Sequence, residues 1–472
     1  MFVNRAAELQ FLLDHFERPG ASLLVLWGRR RVGKTTLLRE FASRAGAHGH
    51  PLLYHVGVRT TETEALLRLS DTLAQGFGDA LLRIQPLTSW EAVFAYLSSR
   101  SQPFGLLIDE FPYLVESAPA LPTKLQAAWD ASLQHGQVKL VLCGSSVAMM
   151  EQTLLDRGAP LHGRRTGQWK VEPFSPADVA ALHAAQGVAP RLVPVLEAFA
   201  VLGGVPLYAG QHYPKRPLEE TIKVSILTKG EPLYEEVPFL LRQELREPRV
   251  YQAILSALAG GATSFGELSS KTGLERANLT RYLAQLDTLG LLRREVPVTE
   301  PKPHKSRKGI YRIADPFVGF WYRFVYPNLD RLELGDAGVV LDSVVKPALP
   351  HFISQAIEPY LPSLFGPRGI ASLGAQVPFQ PCYLGRHWSR KTELDLLLLS
   401  EDRRRGFVGE LKWQGRAISP EAMADLRSRV AREETLRGVE LTFALISRSG
   451  FTKTSTRPLP DERYIDLGAM AL

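Results

Sequence analysis

Two short stretches of this sequence contain residue types that can act on phosphate. The first runs from Gly28 to Thr35 and matches the spacing G-x-x-x-x-G-K-[ST]. Glycines let backbone N–H groups surround a phosphate, Lys34 can reach the outer phosphate oxygens, and the Thr35 hydroxyl can ligate Mg²⁺. The pattern therefore predicts binding of ATP and Mg²⁺. The expected nucleotide contacts in this loop are Gly28, Arg29, Gly33, Lys34, Thr35 and Thr36.

The second stretch, residues 404–415, places Glu410 and Lys412 on an apolar run. Residues two apart on a strand point to the same face, so the carboxylate and the ammonium stand side by side. Such a pair belongs to a solvated face, to a structural ion pair or to a metal site. A structural ion pair explains these two residues equally well. It does not explain why Asp395 lies among leucines on the preceding run at 392–400.

Three apolar runs in the first third predict buried parallel strands that position the phosphate loop, at residues 22–27, 104–108 and 138–146. Asp109 and Glu110 follow the second run, at the strand end where α/β sheets bind ligands. We expect Asp109 to contact Mg²⁺ directly or through water, and Glu110 to orient the attacking water. Ser145 ends the third run and is expected to sense the γ-phosphate, although a helix N-cap serine fits the same position.

Six segments of the first half occur in a characteristic order: "FVNRAAEL" at 2–9, the phosphate loop, "LLIDEFPYL", "LVLCGSS", "LHGRRTGQWKVEPFS" and "LGGVPLYAG". Together they resemble the archaeal and bacterial DEXX-box P-loop ATPases, which are close to the AAA+ and STAND groups. The resemblance implies that Asn4 and Arg5 lie near the nucleotide base and that Arg164 senses the γ-phosphate. It also implies that Gly203 to Pro206 belong to a helical lid. The alternative for Arg164 is a solvated loop arginine.

The middle of the chain changes to a helical pattern followed by two strand-like runs. Apolar spacing predicts helices at 250–259, 263–273 and 274–290 and strands at 291–298 and 309–315. This order predicts a helix–turn–helix with a two-stranded wing, whose basic residues would contact the DNA backbone. The residues concerned are Lys302, Lys305, Arg307, Lys308 and Arg281. Winged helices also bind proteins, and a charged hairpin tip is normally solvated, so these alternatives stay open.

The last third resembles the PD-(D/E)xK nuclease-like domain often appended to this ATPase family. A helix glutamate, the strand "TELD" and the strand "GELK" carry the match, so that Glu358, Asp395, Glu410 and Lys412 correspond one by one. The sequence departs from the pattern at Ile357, where an aromatic residue is usual, and it lacks a proline before Asp395. Domains of this type can keep the fold without cleaving DNA.

The resemblance implies a metal site at these residues. Carboxylates at Glu358, Asp395 and Glu410 are the oxygen ligands that can hold one Mg²⁺. The metal would activate water and stabilise charge on a scissile phosphate, while Lys412 would orient the nucleophile or neutralise the developing charge. The resemblance thus implies a phosphodiesterase site, either catalytic or a relict.

Length and composition agree with a soluble protein of several domains. The chain has 472 residues, of which 45% are hydrophobic and 22% charged, and its net charge of +7 is compatible with a polyanionic partner such as DNA. No run is apolar enough to span a membrane, the N-terminus lacks a signal-peptide core, and two distant cysteines form no disulfide framework. We therefore expect a cytoplasmic protein without a membrane partner. A homo-oligomer and an unknown protein partner are left open.

The predicted fold class is multidomain α/β. The expected domains are a P-loop ATPase core at 1–175, a helical lid at 176–240, a winged helix at 241–328 and a restriction-endonuclease-like α/β domain at 329–472. Residues 315–328 are expected to form a short apolar hinge. The predicted function is ATP binding and hydrolysis coupled to action on DNA, with a Mg²⁺-dependent nuclease or nuclease-like domain. The alternative is an ATP-switched regulatory or adaptor protein whose last domain binds without cleaving.

Overall fold

A computed structural model describes residues 2–46, 49–367, 369–452 and 458–472 of the chain. It divides into two compact units, residues 1–173 and 174–472. The fold class is mixed α/β, as predicted, because the first unit is built on a parallel sheet and the second combines helices with two further sheets.

The first unit alternates strands and helices. Its elements are α1 (Ala6–Glu17), β1 (Ser22–Trp27), α2 (Lys34–Ala45), β2 (Leu52–Val56), α3 (Glu62–Phe77), α4 (Ala80–Ile84), α5 (Trp90–Ser98), β3 (Phe104–Asp109), α6 (Phe111–Ser117), α7 (Leu121–Ala131), β4 (Val138–Gly144), α8 (Val147–Met150) and β5 (Gly167–Lys170). The strands pair in the order β2-β3-β4-β1-β5, and every pair is parallel. The three predicted strands are confirmed, and their carboxyl ends meet at one edge of the sheet.

Strand β1 is apolar after Ser22 because both of its faces are covered. Leu23 and Val25 belong to one buried cluster, which includes Trp90 of α5. Leu24 and Leu26 belong to a second cluster, which includes Phe41 of α2. Helices on both faces of a parallel sheet explain why the strand reads as a continuous apolar run rather than an alternating one.

The second unit begins with helices. They are α9 (Pro176–Ala185), α10 (Leu192–Leu202), α11 (Pro206–Ala209), α12 (Leu218–Thr221) and α13 (Glu236–Glu244). Next come α14 (Pro248–Ala259), α15 (Phe265–Thr272), α16 (Arg276–Thr288), β6 (Leu292–Glu295) and β7 (Ile310–Ile313). Strands β6 and β7 pair antiparallel, so three helices are followed by a hairpin in the predicted order. A capping box between Ser264 and Glu267 begins α15, as expected for this residue pair at helix starts.

The expectation of a hinge at residues 315–328 is wrong. The segment forms α17 (Pro316–Phe320) and a π-helical turn, Trp321–Val325. Asp315 accepts hydrogen bonds from the backbone N–H groups of two residues of α17 and so caps the helix. Phe317 and Trp321 are almost fully buried. The apolar run therefore forms part of a core, where its side chains are removed from water.

A mixed five-stranded sheet lies near the end of the chain. It is preceded by α18 (Leu329–Glu333), α19 (Ala337–Val340), α20 (Lys346–Ile357), α21 (Leu361–Leu364) and α22 (Ala371–Gly374). The sheet itself comprises β8 (Tyr383–Trp388), β9 (Glu393–Leu399), β10 (Arg405–Lys412), β11 (Glu440–Ser447) and β12 (Glu462–Asp466), with α23 (Ala422–Ala431) between β10 and β11.

Strands β8, β9 and β10 form an antiparallel meander, β11 pairs in parallel with β10, and β12 pairs in parallel with β11. Leu396 faces Gly409 across the β9–β10 pair, so Asp395 and Glu410 occupy the next facing positions. Helix α23 covers one face of this sheet through Met423, Leu426 and Val430. In the described part of the chain, no helix is both long and apolar enough to cross a membrane.

Candidate functional site

The phosphate loop connects β1 to α2. Gly28 has φ +152°, and a Cβ there would lie 2.3 Å from the carbonyl oxygen of Val171, so only glycine fits. Gly33, with φ +91°, immediately precedes the first residue of α2. The buried Lys34 side chain donates from Nζ to the carbonyl oxygens of Gly28 (2.8 Å) and Arg29 (2.9 Å). The lysine amine therefore lies inside the loop, directly before a helix N-terminus, where a phosphate is favoured.

The Asp109 carboxylate lies beside the first turn of α2. Its Oδ2 atom accepts hydrogen bonds from the hydroxyls of Thr35 and Tyr54, both at 2.7 Å. Its Oδ1 atom accepts from the backbone N–H of Glu110 at 3.0 Å. A hydroxyl and a carboxylate in contact are the oxygen ligands that Mg²⁺ prefers, so these residues fit the expected metal.

Glu110 has an unusual backbone conformation. Its φ of +55° lies in the left-handed region, which costs a non-glycine residue free energy and is concentrated at functional sites. Its Oε2 atom accepts from the Ser145 hydroxyl at 2.8 Å, and the Ser145 backbone N–H lies 3.4 Å away. The residue before α8 is Ser146, so Ser145 holds the Glu110 carboxylate and is not the helix N-cap.

The N-terminal segment contacts the backbone of the phosphate loop. Asn4 and Arg5 both have positive φ, at 57° and 69°. Arg5 donates from Nη2 to the carbonyl oxygen of Val32 at 2.9 Å, and its Nη1 lies 2.9 Å from Glu8. Arg5 therefore holds the loop in place through a hydrogen bond. Its expected position near the nucleotide base stays a prediction. Thr36 is exposed in the first turn of α2.

Arg164 lies in the connection between β4 and β5. It forms two hydrogen bonds of 2.7 Å with the carboxylate of Asp130 on α7, and this contact raises the pKa of the guanidinium. It also donates to carbonyl oxygens of its own loop. The structure brings together Lys34, Thr35, Asp109, Glu110 and Ser145. Arg164 is instead paired with Asp130.

The C-terminal carboxylates are each held by a hydrogen-bond donor. Asp395 accepts from the backbone N–H of Leu411 at 3.0 Å. Glu410 contacts the Lys412 ammonium at 2.5 Å and also the guanidinium of Arg429 on α23. Glu358 lies in a short helical turn, Glu358–Tyr360, that follows α20. The sheet thus brings Asp395 and Glu410 to neighbouring strands, as the sequence predicted.

Arg386 of β8 lies at the centre of this group and is almost completely buried. Its Nη2 atom lies 3.2 Å from Glu358 and 2.8 Å from Glu393, and its Nη1 atom lies 3.4 Å from Glu295 of β6. Burial and the neighbouring Asp395 charge nevertheless raise the pKa of Glu358 to about 7. Burial also raises the pKa of Asp395. Burial therefore disfavours the ionised carboxylates more than Arg386 favours them.

This arrangement does not fit a bound Mg²⁺. Among the described residues, no three acidic, histidine or cysteine side chains are grouped so that they could hold a metal ion. Glu358 is engaged by Arg386, and Glu410 is engaged by Lys412 and Arg429. A divalent cation would have to displace these positively charged groups.

The five basic residues predicted to contact DNA lie on or beside the three-helix and hairpin segment. Lys302, Lys305 and Arg307 are exposed in the β6–β7 connection. Lys308 pairs with Glu300 at 2.5 Å, and Arg281 of α16 lies 3.7 Å from Glu247. Three of the five cations are therefore directed to solvent without an ion pair among the described residues.

Family comparisons agree with the geometry of the first unit. Residues 2–208 match a model described as an ATPase domain predominantly from Archaea. The match includes the first helices of the second unit and the whole first unit except its first residue. Residues 321–424 match a second model, described as archaeal and bacterial proteins of unknown function.

The chain is also similar to individual archaeal proteins. The uncharacterized protein MJECL04 of Methanocaldococcus jannaschii is 28% identical over 418 residues, which are 88% of each chain. The uncharacterized ATP-binding protein MJ0423 of that organism is 54% identical over 41 residues, 9% of this chain and 70% of that protein. The solved Walker-type ATPase PABY2304 of Pyrococcus abyssi is 23% identical, covers 68% of this chain and 96% of its own, and has a TM-score of 0.50. This last likeness shows a shared fold.

Sequence reasoning missed two residues near Asp109, Tyr54 and Cys143, and two near the C-terminal carboxylates, Arg386 and Arg429. Tyr54 ends near Asp109 because β2 neighbours β3, and burial and that carboxylate raise the pKa of its hydroxyl. Burial and Asp109 likewise raise the pKa of the Cys143 thiol. A polar residue near the carboxyl end of the neighbouring strand was the signal that could have identified Tyr54. Arg386 and Arg429 had no comparable signal.

Proposed function

We propose that this chain hydrolyses ATP with Mg²⁺ and uses the hydrolysis to act on DNA. The hydrogen-bonded series Thr35–Asp109 and Glu110–Ser145, beside the buried Lys34, is the observation that carries the proposal. It joins a phosphate cradle, a pair of metal-type oxygen ligands and a separate carboxylate at one edge of the sheet.

Each of these residues has a proposed role in hydrolysis. Lys34 releases the loop carbonyls and binds the β- and γ-phosphates, while the Thr35 hydroxyl and Asp109 are placed to hold Mg²⁺ directly or through water. Mg²⁺ when bound would neutralise charge on the phosphate oxygens. Glu110 orients the attacking water, and Ser145 holds Glu110 until the γ-phosphate is present.

Two further contacts to the nucleotide are proposed from the family resemblance. Asn4 and Arg5 lie beside the base, next to the loop that Arg5 already fastens. Arg164 senses the γ-phosphate after it leaves Asp130, in its own subunit or across an interface. This second role requires the exposed ion pair between Arg164 and Asp130 to open.

We also propose the four-domain division at residues 175/176, 240/241 and 328/329, with α14 to β7 as a winged helix. In this assignment the β6–β7 connection is the wing tip. Lys302, Lys305 and Arg307 project to solvent, as a surface that follows a phosphate backbone requires. Lys308 and Arg281 would join them by exchanging Glu300 and Glu247 for phosphate oxygens.

The experiment that tests action on DNA removes the wing charge. Replacing Lys302, Lys305, Arg307 and Lys308 by glutamine should weaken DNA binding, and it should lower the slope of log affinity against log salt by about 0.9 for each phosphate that the variant no longer neutralises. The matched control replaces the exposed Lys215 and Arg216 of the same unit and should change neither quantity. An unchanged salt slope in the wing variant would remove DNA binding at this surface from the proposal.

For the last domain we propose a nuclease-like fold in which Glu358, Asp395, Glu410 and Lys412 form the candidate site. The order helix, three antiparallel strands, helix and parallel strand from α20 to β11 supports this assignment. We derive no cleavage step through a metal there, because Arg386, Arg429 and Lys412 engage two of the three candidate ligands.

The second candidate function is an ATP-switched regulatory or adaptor protein whose last domain binds without cleaving. The ion pairs around Glu358 and Glu410 favour it, since charge-compensated carboxylates need no metal. Purified protein incubated with Mg²⁺ or Mn²⁺, with and without ATP, on linear, circular and single-stranded DNA separates the two. Cleavage that disappears in both Asp395→Ala and Lys412→Ala, but persists in the exposed control Glu401→Ala, supports a nuclease. Intact ATP hydrolysis without cleavage supports the switch.

A further inference from the structure

The second unit contains a cavity of about 460 Å³ that the proposed function does not use. The hairpin strand β7, the end of α14, helix α17 and helix α20 contribute its walls. Its charged lining includes three arginines, Arg293, Arg312 and Arg323, and one carboxylate, Asp315. The volume lies in the range of small-molecule sites, and the lining carries an excess of positive charge.

Two of these arginines stand directly opposite each other. Arg293 of β6 pairs in register with Arg312 of β7, an arrangement of like charges that normally destabilises a strand pair. Glu295 lies 2.7 Å from Nε of Arg293 and 3.5 Å from Nε of Arg312, and it is also 3.4 Å from Arg386. Glu295 is therefore shared by both arginines of the strand pair and by Arg386, which Glu358 and Glu393 also contact.

This sharing leaves the arginines incompletely compensated. The Nε atoms of Arg293 and Arg312 are buried and make no hydrogen bond of normal geometry with any described residue, despite the nearby Glu295. Burial and the Arg386 charge lower the pKa of Arg312 by more than Glu295, Glu358 and Glu393 together raise it. Holding these charges out of water has a cost that an added anion in the cavity would reduce.

Arg323 adds a third guanidinium group to the cavity lining, which also has an apolar part. Arg323 is exposed and belongs to the π-helical turn Trp321–Val325, whose buried neighbours fix its backbone. Tyr311 and Phe352 line the same cavity and supply apolar and aromatic surface. A ligand that combines phosphate oxygens with a ring would contact both kinds of lining, because guanidinium groups bind phosphate with two donors and aromatic rings stack.

We propose that this cavity binds a phosphate monoester of nucleotide size through Arg293, Arg312 and Arg323. The ligand chemistry has two sources, a free nucleotide or the terminal phosphate of a DNA strand. The site is separate from the phosphate loop and belongs to the second unit alone.

The test uses full-length protein carrying Lys34→Ala, so that the phosphate loop does not contribute. Adenosine monophosphate is titrated by calorimetry, and a fluorescent oligonucleotide with or without a 5′-phosphate is titrated by anisotropy. Arg323→Gln should weaken binding of the phosphate ligand about tenfold, the usual cost of one charge-assisted hydrogen bond, and Arg323→Lys should restore part of the affinity. Because Arg323 is exposed, its replacement leaves the core intact. The control is Arg242→Gln, an exposed arginine of α13 outside the cavity.

The outcomes separate the two sources. Arg323-dependent binding of adenosine monophosphate identifies a free nucleotide. If that dependence is confined to the 5′-phosphorylated oligonucleotide, the ligand is a strand terminus. If Arg323→Gln changes neither affinity, or changes them no more than Arg242→Gln does, the proposal is overturned.

Discussion

The phosphate loop and the C-terminal carboxylate group use the same residue types in opposite ways. Around the loop, the Lys34 amine is held by neutral carbonyl oxygens, and Asp109 is held by hydroxyl groups. Around the C-terminal sheet, Glu358 and Glu410 are held by fully charged partners. Neutral partners leave the charge available for a ligand, whereas charged partners compensate it internally.

This difference separates a site prepared for a ligand from a site that is complete without one. A phosphate can replace the carbonyl contacts of Lys34 at little cost, because the ammonium gains a negatively charged partner. A metal at Glu358 must displace the buried guanidinium of Arg386, which then loses its own compensation.

The largest effect is expected at the phosphate loop. Lys34→Ala removes the ammonium that reaches the phosphates, and we expect ATP hydrolysis to fall about 1000-fold, or about 4 kcal/mol of transition-state stabilisation. Steady-state phosphate release measures it. Lys139 is a matched control, since it is also a buried lysine whose amine donates to carbonyl oxygens, those of Arg18 and Gly20. Lys139→Ala should change stability but not the rate per folded molecule. Wild-type hydrolysis by Lys34→Ala would contradict the site assignment.

The next effect tests charge compensation in the second unit. Arg386→Met leaves Glu358 and Glu393 without their shared guanidinium, and we expect a decrease of about 3 kcal/mol in the free energy of unfolding. Urea denaturation followed by tryptophan fluorescence measures the decrease. Arg386→Lys should recover part of it, and the exposed control Arg390→Met should remain within about 0.5 kcal/mol of wild type. Unchanged stability would mean that the ion pairs with Arg386 do not compensate these two carboxylates.

The success of the sequence predictions depended on how local each feature was. The loop from Gly28 to Thr35, the strand before it and the helix after it are contiguous, so their spacing alone defined them. The order of helices and strands from α14 to β7 was equally local. The apolar run at 315–328 was misassigned because a hinge and a buried helix look alike without polar residues at regular intervals.

Partners from distant parts of the chain were the part that residue spacing could not predict. Arg386 is 28 residues from Glu358 and meets it only because β8 passes beside the turn after α20. Tyr54 is 55 residues from Asp109 and meets it only because β2 and β3 are neighbours in the sheet. Strand order decides such contacts, and no spacing in the sequence encodes it.

A third effect concerns two buried histidines, His183 and His212. The rings of His183 and His212 lie 5.7 Å apart, and burial, with the neighbouring histidine, lowers the pKa of His183 to about 4. The neutral form is therefore favoured in the folded state, while the unfolded chain takes up a proton below about pH 6.5. Stability should fall as the pH drops from about 6.5 to about 4, by roughly 2 kcal/mol.

Denaturation at several pH values measures this dependence. His183→Gln should flatten the fall whatever its effect at neutral pH, and the exposed wing residue His304→Gln should leave the slope unchanged. An equal slope in wild type and His183→Gln would show that the pair does not titrate on unfolding.

The smallest effect tests whether the neutral partners of Asp109 matter to the metal. Tyr54→Phe removes one of the two hydroxyls that donate to Oδ2, and we expect about a tenfold rise in the Mg²⁺ concentration needed for half-maximal hydrolysis. ATP binding without Mg²⁺ should not change, because the Tyr54 hydroxyl acts through Asp109 and not through Lys34. Tyr113→Phe is the control, since its hydroxyl accepts from Arg30 rather than donating to Asp109. If both variants shifted the Mg²⁺ dependence equally, the effect would come from packing, and the contrast with the C-terminal carboxylates would rest on Thr35 alone.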